Sequence, residues 1–359
     1  MHQEPSGVWI MAYTAIDDPS AHFQTVLWSG SGSGQAITNG GNSDLQPDFV
    51  WLKKRAGGSA RAHGLYDSSR GVTKLLHSNT DDPESTQAAG LTAFGSDGFT
   101  VGDDDGNDGS GGTYVAWQWK ANGGSRTTFT ESGNNPGGGY QANTTAGFSI
   151  IDYTGTGGAG TVAHGLGVAS EFMIVKSRSA SGKSWGVWHK DILNTHYLTL
   201  QTTNAKGDDD GFLNDTSPTS SVITLGDWGD INGDGETHIM YAFAPIQGYS
   251  KFGSYTGNGS NDGAFIYLGF KPTYFLCKQT NTSRSWTVYD NKRPAYNSND
   301  GKILVPNESG AEENGDIDFV ANGIKLRQSH TAFNESGGTY VYMAFAHQPF
   351  VTSGGVPCT

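Results

Sequence analysis

Three stretches of this chain repeat one another in register, and that repetition constrains the fold more than any single residue does. Lys53, Lys176 and Lys278 end matching apolar runs: Phe49-Val50-Trp51-Leu52, Phe172-Met173-Ile174-Val175 and Tyr274-Phe275-Leu276-Cys277. Thr113, Thr237 and Thr339 open a second matching set. Trp28, Tyr153 and Tyr255, each followed by Ser-Gly or Thr-Gly, form a third. In each set the second spacing is 102 residues and the first is about twenty longer. One spacing pattern met at three places means three versions of one module.

The Thr-led runs show what the module is made of. Alternate positions read Val115/Ile239/Val341, Trp117/Tyr241/Met343 and Trp119/Phe243/Phe345. Between them fall Tyr114/His238/Tyr340, Ala116/Met240/Tyr342 and Gln118/Ala242/Ala344. One face is large and apolar while the other is mixed and small, a period of two that predicts a strand with one face on a core. Phe99/Ile223/Ile324 and Val101/Leu225/Leu326 alternate likewise. About six strands per module, divided by Gly, Asn, Asp and Ser turns, predict an all-β chain. The expected architecture is three tandem jelly-roll or lectin-like β-sandwich modules behind a short N-terminal arm. A propeller would need shorter and more numerous blades. The register sets the boundaries: arm 1–21, modules 22–120, 147–246 and 247–350, and tail 351–359. Residues 121–146, rich in Gly and Asn, read as a linker or an extended arm.

Charge and composition narrow the function. A net charge of −13 argues against nucleic acid, whose phosphates call for a basic surface. No stretch approaches the roughly 20 apolar residues of a membrane span, and the first sixteen residues lack a signal-peptide pattern. Synthesis in a reducing bacterial cytoplasm is expected. Cys277 stands where other modules hold Leu52 and Val175, so it reads as a small buried hydrophobe.

Few motifs carry chemistry. Asp230-Ile231-Asn232-Gly233-Asp234-Gly235 imitates the start of a calcium loop, with Asp230, Asn232 and Asp234 as weak candidate ligands. Its twelfth position is Tyr241 rather than a bidentate acid, so a turn is expected and bound Ca2+ is the minority reading. No nucleophile elbow, metal-spaced histidine pair or phosphate loop is present, and no cofactor is expected. His63, His164, His189 and His238 read as surface or strand-edge residues. Lys53-Lys54-Arg55 reads as a strand running out to solvent. Trp228, beside Asp227 in a polar loop without an equivalent elsewhere, is a candidate for stacking on a sugar or partner, or equally for packing into a module interface. Trp9 and Tyr13 cluster with Ile10 and Met11 in the arm, as a docking segment or a first strand. Three copies of a scaffold suit multivalent binding better than catalysis, so an enzyme is not expected.

Several strings carry a resemblance. Gln46-Pro47-Asp48-Phe49-Val50-Trp51-Leu52-Lys53, Gly64-Leu65-Tyr66-Asp67-Ser68-Ser69-Arg70-Gly71 and Ser96-Asp97-Gly98-Phe99-Thr100-Val101-Gly102 resemble repeated domains of tailed-phage structural proteins. So do Gly111-Gly112-Thr113-Tyr114-Val115-Ala116-Trp117-Gln118-Trp119-Lys120 and Gly253-Ser254-Tyr255-Thr256-Gly257. Such repeats occur in tail-fibre and virion proteins of marine phages and cyanophages, and the resemblance covers residues 22–350. It implies a virion component: a tail-fibre or receptor-binding protein that attaches to a host surface glycan or protein. A capsid or tail decoration protein is the alternative, and a polysaccharide-degrading tailspike a third reading. The resemblance also favours a homotrimer whose N-terminal arms contact other virion proteins. The chain departs from the larger proteins of this kind in holding no collagen-like or coiled-coil stretch, which argues against a long, free-standing fibre.

Overall fold

The computed structural model of the chain describes residues 13–293 and 301–357, and the backbone alone of His2–Gln3 and Trp9–Ile10. The chain is all-β, with 43% of residues in strands, 5% in helices and no described helix of seven residues or more. In the first repeat a six-stranded antiparallel sheet runs Phe23–Ser29, Thr113–Trp119, Phe49–Ala56, Gly64–Asp67, Lys74–His77, Ser85–Thr86. A three-stranded sheet, Gln35–Thr38, Gly98–Val101 and Leu91–Gly95, covers one face of it. Ile37, Val50, Leu52, Tyr66, Leu91 and Phe99 fill the space between. The third repeat pairs a four-stranded with a three-stranded sheet in the same way, around Phe275, Cys277, Tyr289, Ile324 and Phe333.

The second repeat has the largest sheet, eight strands. Two of these, Thr127–Phe129 and Gly137–Asn143, come from the segment read as a linker. Gly137–Asn143 pairs along its whole length with Phe148–Thr154. A Gly/Asn-rich composition concealed a strand because its glycines lie close against that neighbour: a Cβ on Gly138 would meet the Asp152 carbonyl oxygen at 2.1 Å.

The repeats do not stand in line. Their central strands Thr113–Trp119, Thr237–Phe243 and Thr339–Pro349 are buried on both faces. The small mixed face, expected to be the less protected one, covers each repeat's own small sheet. The large face of all three meets in a shared hub. At its centre Trp119, Phe243 and Phe345 form a triangle with ring centroids 6.2, 6.0 and 5.7 Å apart. These are one repeat position three times over. Each such ring removes roughly 150–250 Å² from water, worth about 4–6 kcal/mol at ~25 cal/mol/Å² before entropy is subtracted.

The three joints around the hub are equivalent and close cyclically. Lys53, Lys176 and Lys278 are fully buried rather than solvent-directed. Lys53 Nζ donates to the Ser309 carbonyl of the third repeat (3.0 Å), Lys176 Nζ to Asp81 of the first (3.2 Å) and Lys278 Nζ to Thr203 of the second (3.3 Å). Backbone bonds repeat the cycle: Glu312 N–H to Arg55 O, Glu84 N–H to Arg178 O and Lys206 N–H to Thr280 O. The first two are reinforced by Arg55–Glu312 and Arg178–Glu84 ion pairs at 2.7 and 3.0 Å.

A second layer of side chains follows the same cycle. Trp117 Nε1 donates to Asp290 (3.0 Å), and Tyr241 Oη donates to Asp67 (2.7 Å), each acid also being held by Arg293 or Arg70. Met343, at the third such position, has no proton to give. There the acid is replaced by His189, whose Nε2 bonds the Tyr342 carbonyl at 3.1 Å. His63, His164, His189 and His238 are all fully buried, which corrects the surface expectation. His63, at the position held by Trp185 and Trp286, packs parallel to the Trp117 ring.

Two measurements check this architecture. An isolated first repeat would expose Phe49, Trp51, Val115, Trp117 and Trp119 together, more than an ordinary surface patch of ~300–600 Å². We therefore expect calorimetry to give one unfolding transition for the whole chain, with Tyr241→Phe lowering stability by about 1–3 kcal/mol without splitting it.

The pH profile is the second. Burial pushes Lys53 and Lys176 down to about 8 and Lys278 to about 7, against roughly 10.4 when free. The unfolded chain then binds protons that the folded one lacks, so stability should rise from about pH 7 towards 10. Burial also lowers His189 and His238 to about 4, so stability should fall as pH drops below about 6.5. It raises buried tyrosines such as Tyr241 and Tyr274, which reverses the trend above about pH 10. Thermal melts from pH 5 to 11 should show that maximum.

Candidate functional site

The repeat hands every copy the same inward machinery, so functional differences belong on the outward ends. Each copy there carries a turn before its central strand, held alike. Trp28 Nε1 donates to the Asn107 carbonyl (3.0 Å), Tyr153 Oη to that of Ile231 (2.5 Å) and Tyr255 Oη to that of Phe333 (2.8 Å). In the second repeat this turn is a short helix, Gly229–Asn232, and it contains the calcium-like string. Asn232 is fully buried. Its Nδ2 donates to the Gly158 and Gly226 carbonyls, both at 2.8 Å, and its Oδ1 accepts Thr156 N–H at 3.0 Å. Asp230 accepts Ser184 N–H (3.0 Å) and Asp234 is exposed. These three do not converge. Asn334 and Asp108 pin the other two turns in the same manner, so the string is the second copy of a structural device.

Trp228 is half-buried and starts that helix, packed on Tyr197 (4.7 Å between centroids) and edge-on to Phe212 (5.5 Å). It does have equivalents: Asp104 and His330 start the corresponding turns. Its ring is largely spent on packing inside its own repeat. Neighbouring Asp227 is exposed. Trp9 lies in a two-residue strand paired with His2–Gln3, and its side chain is outside the described residues. Tyr13 lies against the third repeat, where its hydroxyl is 3.5 Å from that of Tyr267 and its ring 6.3 Å from Phe350.

Tyr13 leads to the surface that differs most. In the small sheet of the third repeat, Phe265–Tyr267 pairs with Gly323–Leu326 so that Ile266 opposes Ile324. Ile266 points inward, and alternation turns Phe265 and Tyr267 outward, 49% and 52% exposed. Ile37 opposing Phe99 and Val162 opposing Ile223 give the same register in the other copies. The outward pair is there Ala36 with Thr38, and Thr161 with Ala163. Only the third repeat presents two aromatic rings.

The rings are flanked by polar groups. Lys251 Nζ sits 5.2 Å from the Tyr267 ring centroid and donates to its carbonyl at 2.7 Å. Lys325, opposite Phe265, pairs with Asp262 at 2.7 Å, and Arg327 pairs with Asp318. A cleft of about 550 Å³ opens beside Tyr267, walled by Tyr13, Gln247, Lys251 and Phe270. The hydrogen bond with Tyr267, together with burial, pushes the Tyr13 phenol up to about 12, so it stays a neutral donor. Exposed rings edged by paired charges can stack on a ligand and bond its hydroxyls. Sequence reasoning passed over this strand because Phe-Ile-Tyr reads as core, and only its pairing with Ile324 shows which side faces out.

Residues 18–349 match the profile of a family described as a domain of unknown function (DUF7483). A comparison with curated proteins finds no match. The matched region takes in all three repeats, in keeping with a hub that none of them completes alone.

For the calcium-like string we expect melting temperatures to be the same with calcium and with chelator. Asn232→Ala should cost about 2–3 kcal/mol in denaturant titrations, since it strands buried carbonyls.

Proposed function

The chain belongs to the DUF7483 family, and we propose that it is a virion attachment protein of a tailed phage, binding the host surface through the outer face of its third repeat. The observation that carries this reading is the aromatic pair Phe265 and Tyr267, exposed where the sister repeats hold Ala36, Thr38, Thr161 and Ala163. Two large rings left about half exposed gain for folding only on their covered sides. They suit a partner that stacks on them. The charges beside the rings, Lys251 and the Lys325–Asp262 and Arg327–Asp318 pairs, favour a hydroxyl-rich glycan over an apolar protein face, because charged residues are depleted at the centres of protein interfaces.

A closed scaffold built around one shared hub supports the same reading. It holds the outward ends rigidly, so little entropy is lost when one of them docks. Individually weak contacts become useful when several chains act together, which is the role of the homotrimer we propose for the particle. The resemblance to phage structural repeats supplies the setting, and the reading is one of binding rather than catalysis.

Purified chain, incubated with host cells before infection, should slow phage adsorption. Phe265→Ala with Tyr267→Ala should abolish that competition while leaving the melting temperature within about 2–4 °C, as expected for exposed sites. Competition by the double variant equal to the unmodified chain would overturn the proposal.

A further inference from the structure

The first repeat has an end that its sisters close. Over the large sheet, beneath the loops at 60–62, 87 and 104–107, lies a cleft of about 340 Å³ lined by Leu52, Leu75, Tyr66, Gln87, Asp104 and Asn107, with Arg61 and His77 also on its wall. The residue that plugs this place is Ile231 in the second repeat and Phe333 in the third, both fully buried. The backbone at this position is held identically in all three copies, by the Trp28, Tyr153 and Tyr255 bonds. Only the side chain changes, and in the first repeat it is Asn107.

A second position changes with it. Gly226 N–H bonds the Phe212 carbonyl in the second repeat, as Gly102 N–H bonds that of Gly90 in the first. Phe212 is fully buried there, and its ring reaches to within 2.6 Å of where a Cβ on Gly186 would stand. Gly90 contributes no side chain at all. Thus two apolar plugs, Ile231 and Phe212, are replaced together by an amide and a glycine.

Asn107 is only 2% exposed. Its Nδ2 lies 3.1 Å from Asp104 Oδ2 and 3.4 Å from the Tyr66 hydroxyl. No donor to its Oδ1 is found among the described residues. Burying an amide where sister copies bury Ile and Phe costs stability, and a role in binding accounts for it. Charge in the cleft is already balanced. Asp105 pairs with Lys54 and Arg61, both at 2.7 Å, and Asp104 accepts N–H groups from Gly106, Asn107 and Gln87. The remaining groups are neutral donors and acceptors over an apolar wall.

We infer that this cleft is a binding site for a neutral sugar, one or two rings at the end of a glycan. Its volume is at the small end of the ~300–1,000 Å³ of small-molecule sites, which excludes a long chain threading through it. Amide, imidazole and phenol groups match hydroxyls that both donate and accept, while Leu52 and Leu75 face the apolar side of a ring. The inference rests on the attachment reading for the source of that ligand, but uses a different repeat and different residues.

The internal repeat supplies the decisive variant. Asn107→Ile rebuilds the plug of the second repeat, and it should fold with an equal or higher melting temperature. Titration calorimetry of the full chain against neutral mono- and disaccharides, with glucuronic acid as the anionic control, should show millimolar binding of a neutral sugar. Asn107→Ile should weaken it at least about tenfold, because the ligand meets a filled, unpaired site, and Arg61→Ala at the rim should weaken it less. Equal binding by Asn107→Ile, absence of neutral-sugar binding, or preference for glucuronic acid would each overturn the inference. Host-cell adsorption separates the two proposals. Cell binding without sugar binding sinks the cleft alone, whereas sugar binding lost in Asn107→Ile without any cell binding sinks the attachment reading alone.

Discussion

The structure depends on three aromatic rings that must meet one another. Trp119, Phe243 and Phe345 occupy the same position in three repeats, and their mutual contact forces the three large sheets to turn their backs to a common axis. Once the sheets converge, the loops at each joint bring carbonyl groups against buried side chains. Lys53, Lys176 and Lys278 meet them. A buried ammonium without a carboxylate is costly, and it is tolerated here because each one donates to carbonyls on its own and the neighbouring repeat. The hub and the lysines are therefore one constraint: the rings bring the sheets together, and the lysines bond the carbonyl groups that meet there.

Because the joints run from the first repeat to the third, from the third to the second and from the second to the first, the ring closes within one chain. Closure in trans by three identical chains would have required every joint to use the same side chains. A single chain can vary them, and this one does. Tyr241 with Asp67 and Trp117 with Asp290 are donor–acid pairs, while Met343 is matched by His189 and a backbone carbonyl. The same liberty operates on the outside. With the same joint closed three times over, the first repeat can carry Asn107 in place of an apolar plug, and the third can expose Phe265 and Tyr267.

Much of the interior was legible in the sequence. The alternation after Thr113, Thr237 and Thr339 located the central strands, and Cys277 was readable as core from its partners Leu52 and Val175. The departure of the calcium-like string from a full ligand set marked it as structural. Errors arose where one physical signal has two sources. A lysine at the end of an apolar strand is what a solvent-exposed end looks like, and also what a carbonyl cage looks like. A Gly-rich stretch suits a linker and equally a strand pressed against its neighbour, as residues 137–143 are. Trp228 in a polar loop left stacking on a ligand and packing equally open, and its ring lies against Tyr197 and Phe212 of its own repeat.

The sequence by itself determined that the chain is all-β, that it is built from three copies of one module and which residues are equivalent among them, because period and spacing are local properties. Only the tertiary structure decided that the larger apolar face of each central strand meets other repeats instead of its own small sheet. A large apolar face records that it is buried but not against what, and the partner it finds lies on residues more than a hundred positions away. The same holds for the outward ends. Asn107 and Phe265 stand out only beside Ile231, Phe333, Ala36 and Thr161, which the shared register and turn bonds put in the same places.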